Sequence, residues 1–364
     1  MSSPTSTVSG ITPTTGARRA RLVIFGLIIL LIAVFLISLD KGAVEISVAQ
    51  CLAILGRRIG LNLPFAFTVQ QEATLLDIRL PRVILGLLVG AGLGISGAAM
   101  QGLFRNPLAD PSLIGISSGA ALAATFVIIV GDLIHLTLPP MVGLLSFPAA
   151  AFVGGIVTTM LVYRLSTIGG QSAVATMLLA GIAINALAQA FSGLMTFYAT
   201  DTQIRSITFW RLGSLGGASW TSVAIAAPFI LVPVFALPFL SRALNALLLG
   251  EAEAGHLGIR IEQVKRLTVI FVALAVGAAV AVTGLIAFVG LVVPHLLRLL
   301  MGPDHRRLLP ASSLLGASLL LLADLIARTI VAPAELPIGI LTAIVGAPFF
   351  LWLLLRDRKW RIVH

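Results

Sequence analysis

The sequence predicts an all-α, polytopic membrane protein with about ten transmembrane helices, and three observations lead there. Of its 364 residues, 58% are hydrophobic and only 10% charged, against about 25% charged in an ordinary soluble domain. The apolar residues come in runs of roughly 20, the length a helix needs to cross the hydrocarbon core. The alternating segments of about 10 residues that build a transmembrane barrel are not found. Ala, Leu and Gly fill the runs while aromatics make up 7%, a composition that suits closely approaching helices.

In chain order, the Ser/Thr-rich opening (1–20) reads as a disordered tail. The first apolar run follows Arg18, Arg19 and Arg21 and is too long for a signal-peptide core, so an uncleaved helix is expected. Candidate spans lie at about 22–39, 80–104, 112–131, 142–164, 171–198, 220–240, 263–284, 288–301, 308–329 and 338–356. The eighth follows the seventh so closely, at "TGLIAFVG", that the count is nine or ten. Residues 21–356 thus read as one transmembrane domain and 357–364 as a basic tail. Between the first two spans, "AVEISVAQCLAILGRR" predicts an amphipathic helix on the outer surface.

Loop charge sets orientation, because Lys and Arg favour the cytoplasmic side. With the N-terminus inside, Arg18, Arg19, Arg21, Arg105, Arg164, Arg242, Arg260, Lys265, Arg266, Arg298, Arg306, Arg307, Arg356, Arg358, Lys359 and Arg361 face the cytoplasm. Lys41, Arg57, Arg58, Arg79, Arg82, Arg205, Arg211 and Arg328 face outward. Sixteen against eight supports that orientation, and with an even number of spans both termini lie inside, in agreement with the basic tail. The net charge of +10 is therefore topological; the cations are scattered over loops, which gives no nucleic-acid surface. The single Cys51 excludes an internal disulfide.

Several motifs resolve to plain readings. "GLGISG" (92–97) matches a dinucleotide fingerprint literally but lies inside an apolar run, so it reads as small-residue helix packing. "STIGGQS" (166–172) has a faint likeness to an ATP-binding-cassette signature loop, yet no P-loop motif exists anywhere in the chain. His135, His256, His295, His305 and His364 are scattered without metal-ligand spacing, so no metal site is expected.

Charges near membrane depth carry more. Asp324 and Arg328, at i and i+4, can pair on one helix face or leave Arg328 for a partner. Arg79 and Arg82 bracket Pro81 at the outer start of the second span, where arginine opposes the helix dipole; an acidic partner or simple snorkelling would account for them. Arg205 and Arg211 sit in the polar outer segment "YATDTQIRSITFWRLGSLGGASW" with Phe209, Trp210 and Trp220. Finally, "LNALLLGEAEAGHLGIR" (244–260) is a compact charged stretch in a greasy chain, placed on the cytoplasmic side between the sixth and seventh spans.

Four blocks together, "RLPRVILGLLVGAGLGISGAAMQGLFRNPLADPSLIGISSGA", "LNALLLGEAEAGHLGIR", "GLIAFVGLVVPHLLRLLMGPDHRRLLP" and "LLADLIARTIVAPAELPIGILTAIVGAPFFLWLLL", strongly resemble permease subunits of ATP-binding-cassette importers for iron-siderophores, haem and cobalamin. The resemblance runs from about 79 to 356 in order. It implies a ten-span permease of a bacterial inner membrane that works as a homodimer, with two cytoplasmic ATPase subunits and a periplasmic binding protein. The chain would then be no enzyme, and ATP would be used by the partner. By matching motif, 244–260 would be the coupling helices, with Leu249, Gly250, Glu251, Ala254, Leu257 and Gly258 against the ATPase. Arg79, Arg82 and Arg328 would dock glutamates of the binding protein. The outer segment is most similar to haem permeases, so haem is the expected cargo, with ferric siderophore or cobalamin as alternatives. Arg205 would attract the propionates, and Met195 and Tyr198 would offer transient axial ligands. A secondary carrier driven by ions would need acids lining a path, and Asp324 is the only acid well inside a span.

Overall fold

A computed structural model describes residues 13–42, 44–135, 140–332 and 334–362. Ten helices occupy the expected spans: α1 (Pro13–Asp40), α4 (Leu80–Leu103), α5 (Ile116–His135), α6 (Pro140–Leu165), α7 (Val174–Phe197), α9 (Trp220–Ala236), α12 (Ile261–Thr283), α13 (Val289–Met301), α14 (His305–Thr329) and α15 (Ile338–Ile362). Among the described residues, seven helices are long and apolar enough to cross a membrane, and α5, α13 and α15 hold shorter apolar stretches. Shorter helices connect them: α2 (Val48–Arg58), α3 (Val69–Ala73), α8 (Asp201–Leu212), α10 (Ser241–Leu247) and α11 (Glu251–His256).

Two expected boundaries move. Helix α1 begins at Pro13, inside the stretch read as a disordered tail, because Ala17 and the arginines that follow propagate helix backwards from the apolar run. Helix α15 likewise continues to Ile362 through the tail. The first twelve residues lie outside the described part of the chain.

The bundle is organised around α4, whose apolar window is 83% buried. Lipid gives apolar helices no hydrophobic reason to associate, so close backbone approach must hold them. The "GLGISG" stretch provides it: a Cβ on Gly94 would sit 2.2 Å from the Ser312 carbonyl of α14, and one on Gly97 would sit 1.8 Å from the Gly290 carbonyl of α13. The packing reading of this motif is therefore the correct one. By contrast α7 is only 17% buried. Its Leu179, Ile182, Leu187, Phe191 and Leu194 face away from the chain's own core.

The doubtful eighth span is a separate helix. Helix α12 ends at Gly284, residues 284–288 run without helix, and α13 restarts at Phe288, whose φ is +68°. Such backbone is tolerated at membrane depth only where protein surrounds it. Here it is held by Ser214 N–H donating to the Thr283 carbonyl at 2.8 Å and by the end of α8. The predicted outer amphipathic helix is α2. Ser47 and Gln50 close a capping box at its start, Cys51 and Ile54 turn inward, and Arg57 and Arg58 approach Glu72 at 3.6 Å.

Candidate functional site

Two polar centres stand out at opposite ends of the bundle, and each is a buried cation held between two carboxylates. The first organises the 244–260 stretch. Helix α10 ends in a tight turn at Gly250, whose φ of +130° excludes other residues and where a Cβ would strike the Glu253 carboxylate at 2.0 Å. Helix α11 then runs to a second turn at Gly258, φ +79°. Apolar Leu244, Leu247 and Ala254 point into the bundle, while Leu249 and Leu257 are 68% and 65% exposed.

Two polar ties fasten this helical pair. Asn245 of α10 donates to Asp304 Oδ1 at 2.6 Å and accepts from the His305 backbone N–H at 2.9 Å, at the start of α14. Burial works to raise the Asp304 carboxyl, but the bonds from Asn245 and the Arg306 N–H, with the charges of Arg306 and Arg307, hold it below the usual carboxylate range. The second tie is Lys265 of α12, 1% exposed. Its Nζ donates to Glu251 at 2.8 Å, to Glu262 at 3.1 Å and to the Ser172 carbonyl at 2.5 Å, which uses all three ammonium protons. Ser172 belongs to a small antiparallel hairpin, Thr167–Ile168 with Gln171–Ser172, turned by Gly169 and Gly170 at positive φ. Its Oγ also donates to Glu262 at 2.7 Å. One side chain thus joins the α10–α11 pair, the apolar helix α12 and the hairpin that was expected only as a faint signature-loop likeness.

The expected coupling residues divide accordingly. Leu249, Leu257 and Gly258 are exposed, Glu251 is spent partly on Lys265, and Gly250 and Ala254 are buried. Gly250 shapes the turn and Ala254 seats the helix against the bundle. Ala252, Glu253, Gly255 and His256 are exposed on the solvent side of α11.

The outer centre contains the expected docking arginines, but inside the fold. Arg82 on α4 grips Asp324 of α14 through Nε at 3.0 Å and Nη2 at 2.8 Å, and Glu335 through Nη1 at 2.8 Å and Nη2 at 3.1 Å. Arg328 lies 3.8 Å from Asp324 on its other side and donates to the Ser38 carbonyl of α1. Arg79 donates to the carbonyls of Leu39 at 2.6 Å and Asp40 at 2.8 Å, and to that of Val44, closing the end of α1. All three guanidinium groups are buried. A charge taken out of water must find acceptors, and each of the three finds them within the chain. The exposed acid of the cluster is Glu335, 46% exposed. The Arg82 hydrogen bond outweighs burial, with the Arg82 and Arg328 charges adding to it, and keeps the Glu335 carboxyl below its usual range. Asp324, the acid an ion-driven carrier would need on its path, is enclosed by Arg82 and Arg328.

On the outer face, Thr200 and Gln203 cap α8, and Gln203 Nε2 ties it to the Ile129 carbonyl of α5 at 3.1 Å. Arg205 and Arg211 project from it exposed. Tyr198 is 77% exposed with an edge-on contact to Phe197, and Met195 is half-buried. Lys265 and Glu335 escaped the sequence reading. A lysine one turn into a span was itself the available signal, since membrane-depth charges demand partners.

Among the described residues, seven long apolar helices and three shorter ones, packed about the glycine-rich α4 with a fastened helix pair at one end, make a polytopic membrane protein of the kind permeases are. Residues 30–356 match the FecCD transport family, to which the chain belongs. It is 50% identical over 287 residues to the hemin transport system permease protein HmuU of Yersinia pestis, covering 79% of this chain and 84% of that one. It is 43% identical over 300 residues to the cobalamin import system permease protein BtuC of Halobacterium salinarum, covering 82% and 78%. A solved inward-facing conformation of a metal-chelate type ABC transporter superposes with a TM-score of 0.79 at 33% identity, over 92% of this chain and 99% of that one. The chain is accordingly a permease subunit of an ABC importer.

Proposed function

We propose that this permease carries haem across the bacterial inner membrane, as a homodimer served by two cytoplasmic ATPase subunits and a periplasmic binding protein. The observation that carries the choice of cargo is the 50% identity to the hemin permease, against 43% for the cobalamin permease. The thinly buried α7 supports a second copy, whose matching face would close a pathway along the two-fold axis. On that pathway Arg205, Met195 and Tyr198 would meet the cargo, Arg205 by attracting the propionates and the other two as passing ligands of the iron.

The mechanism is alternating access. ATP-driven closure of the ATPase presses on α10 and α11 through Leu249 and Leu257. The Lys265 and Asn245 ties carry that displacement to α12 and α14. On the outer side, a carboxylate of the binding protein would reach Arg82 and Arg328 by taking the place of Glu335, the exposed acid of the cluster. Arg79 would keep the end of α1 in position meanwhile. Both termini lie in the cytoplasm in this reading.

The test is uptake and ATP hydrolysis in liposomes holding permease and ATPase, with the binding protein loaded in turn with haem, a ferric siderophore or cobalamin. Haem-specific uptake, lost in Arg205→Ala, is the expected result. Uptake of cobalamin or siderophore with haem inert would overturn the cargo and leave the architecture standing.

A further inference from the structure

The C-terminal end of α6 lies beside the N-terminal end of α12, both cytoplasmic in the topology proposed above, and the two helices leave between them a cleft of about 510 Å³. Each helix lines it with one stripe at helical spacing: Ile156, Met160 and Arg164 on α6, and Arg266, Ile270 and Leu274 on α12. The two stripes point in opposite chain directions, so both arginines fall at the cytoplasmic mouth and the apolar side chains form the floor. From Arg164 to Ile156 is eight residues, about 12 Å along a helix; one leaflet of hydrocarbon is about 15 Å deep. No acidic side chain lines the cleft. Among the described residues neither Arg164 nor Arg266 has an ion-pair or hydrogen-bond partner, and both are exposed. That sets them apart from Arg79, Arg82, Arg298 and Arg328, which bind acceptors within the chain.

We propose that this cleft is a binding site for an anionic phospholipid of the cytoplasmic leaflet. The phosphate sits between the two guanidinium groups, and one acyl chain lies along the Met160–Ile270 floor. Two fixed cations above an apolar slot one leaflet deep match a lipid in both charge and length. Free phosphate would have no use for the slot, and a protein helix would need apolar residues where the mouth presents charge. Arg266 adjoins Lys265 in sequence but points outward, so the headgroup stands beside the buried tie without sharing its acids.

The test is lipid retention by the full-length permease in mild detergent, read by native mass spectrometry while titrating dioleoylphosphatidylglycerol or dioleoylphosphatidylcholine. Wild-type protein is expected to hold one phosphatidylglycerol per chain through the cleft in preference to phosphatidylcholine. Arg164→Gln/Arg266→Gln removes two interfacial cations and should weaken phosphatidylglycerol binding about 30-fold. Met160→Trp/Ile270→Trp, both at exposed positions, keeps the charge and fills the slot; it should lose the same lipid while eluting as a folded, monodisperse protein. Equal retention of the two lipids by wild type, or unchanged retention in either variant, would overturn the proposal. A filled slot that still binds would mark the arginines as an unspecific basic surface.

Discussion

The charge centres at Arg82 and Lys265, at opposite ends of the bundle, share a plan and differ in temper. Outside, Arg82 lies between Asp324 and Glu335; inside, Lys265 lies between Glu251 and Glu262. The guanidinium is planar and meets both carboxylates edge-on through paired bonds, and one of its acids is 1% exposed. The ammonium is a point charge on a flexible stem, and its acids are 38% and 31% exposed. The outer centre is thus a rigid clamp across α4, α14 and the 335 loop. The inner one can pivot while staying bonded. Burial alone does not tell a clamp from a pivot; donor geometry does, because Glu335 in the clamp, at 46% exposed, is wetter than either acid of Lys265.

The sharpest way to break the comparison is Asp324→Ala, which leaves Arg82 and Arg328 buried without their shared acid. Loss of one partner of a buried pair costs about 3–5 kcal/mol, so purified protein should unfold at a clearly lower temperature or fail to accumulate. Lys265→Ala should cost less stability, roughly 1–2 kcal/mol, because water reaches both of its acids. Its main effect should be on coupling: ATP hydrolysis by the reconstituted complex continues while uptake per ATP falls. An intact uptake-to-ATP ratio would remove Lys265 from the transmission path. Gly250→Ala should come next, at about 1 kcal/mol or more from a backbone that other residues resist, read as weaker co-purification of the ATPase.

Glu335→Gln should disturb stability least, because the carboxylate is half exposed. It sharpens the comparison through pH. The folded-state pKa of Glu335 is depressed, so its stabilising contribution is complete above the unfolded carboxylate range and is lost as pH falls through the lower folded value. Wild-type thermal stability should therefore hold steady from neutral pH down to the ordinary carboxylate range and then decline. Glu335→Gln should show a shallower decline in that acid window; identical curves would mean Glu335 contributes nothing to the clamp.

Much of this architecture was legible in the residues. Spans announce themselves by apolar length, and loop arginines by position. The glycines at 92–97 read correctly because they sit in mid-span, where small residues have one common use. What the sequence hid is long-range pairing. Spacing offered Asp324 a partner four residues away, whereas its closest cation is Arg82, on another helix. Arginines at span ends look free in a sequence, and only packing reveals that they have been consumed. The same applies to Ala254, whose small size gave no sign of which way it faces.

The separation of Arg82 from Asp324, 242 residues, also bears on how the protein is made. At translation rates of about 5–20 residues per second, the second span waits on the order of ten to fifty seconds for its counter-charge to be synthesised. Until then the nascent chain carries an unneutralised arginine at the membrane's outer boundary. Chains that stop before the ninth span should be recognisable to quality-control proteases by that charge, so completion of the clamp marks a finished subunit.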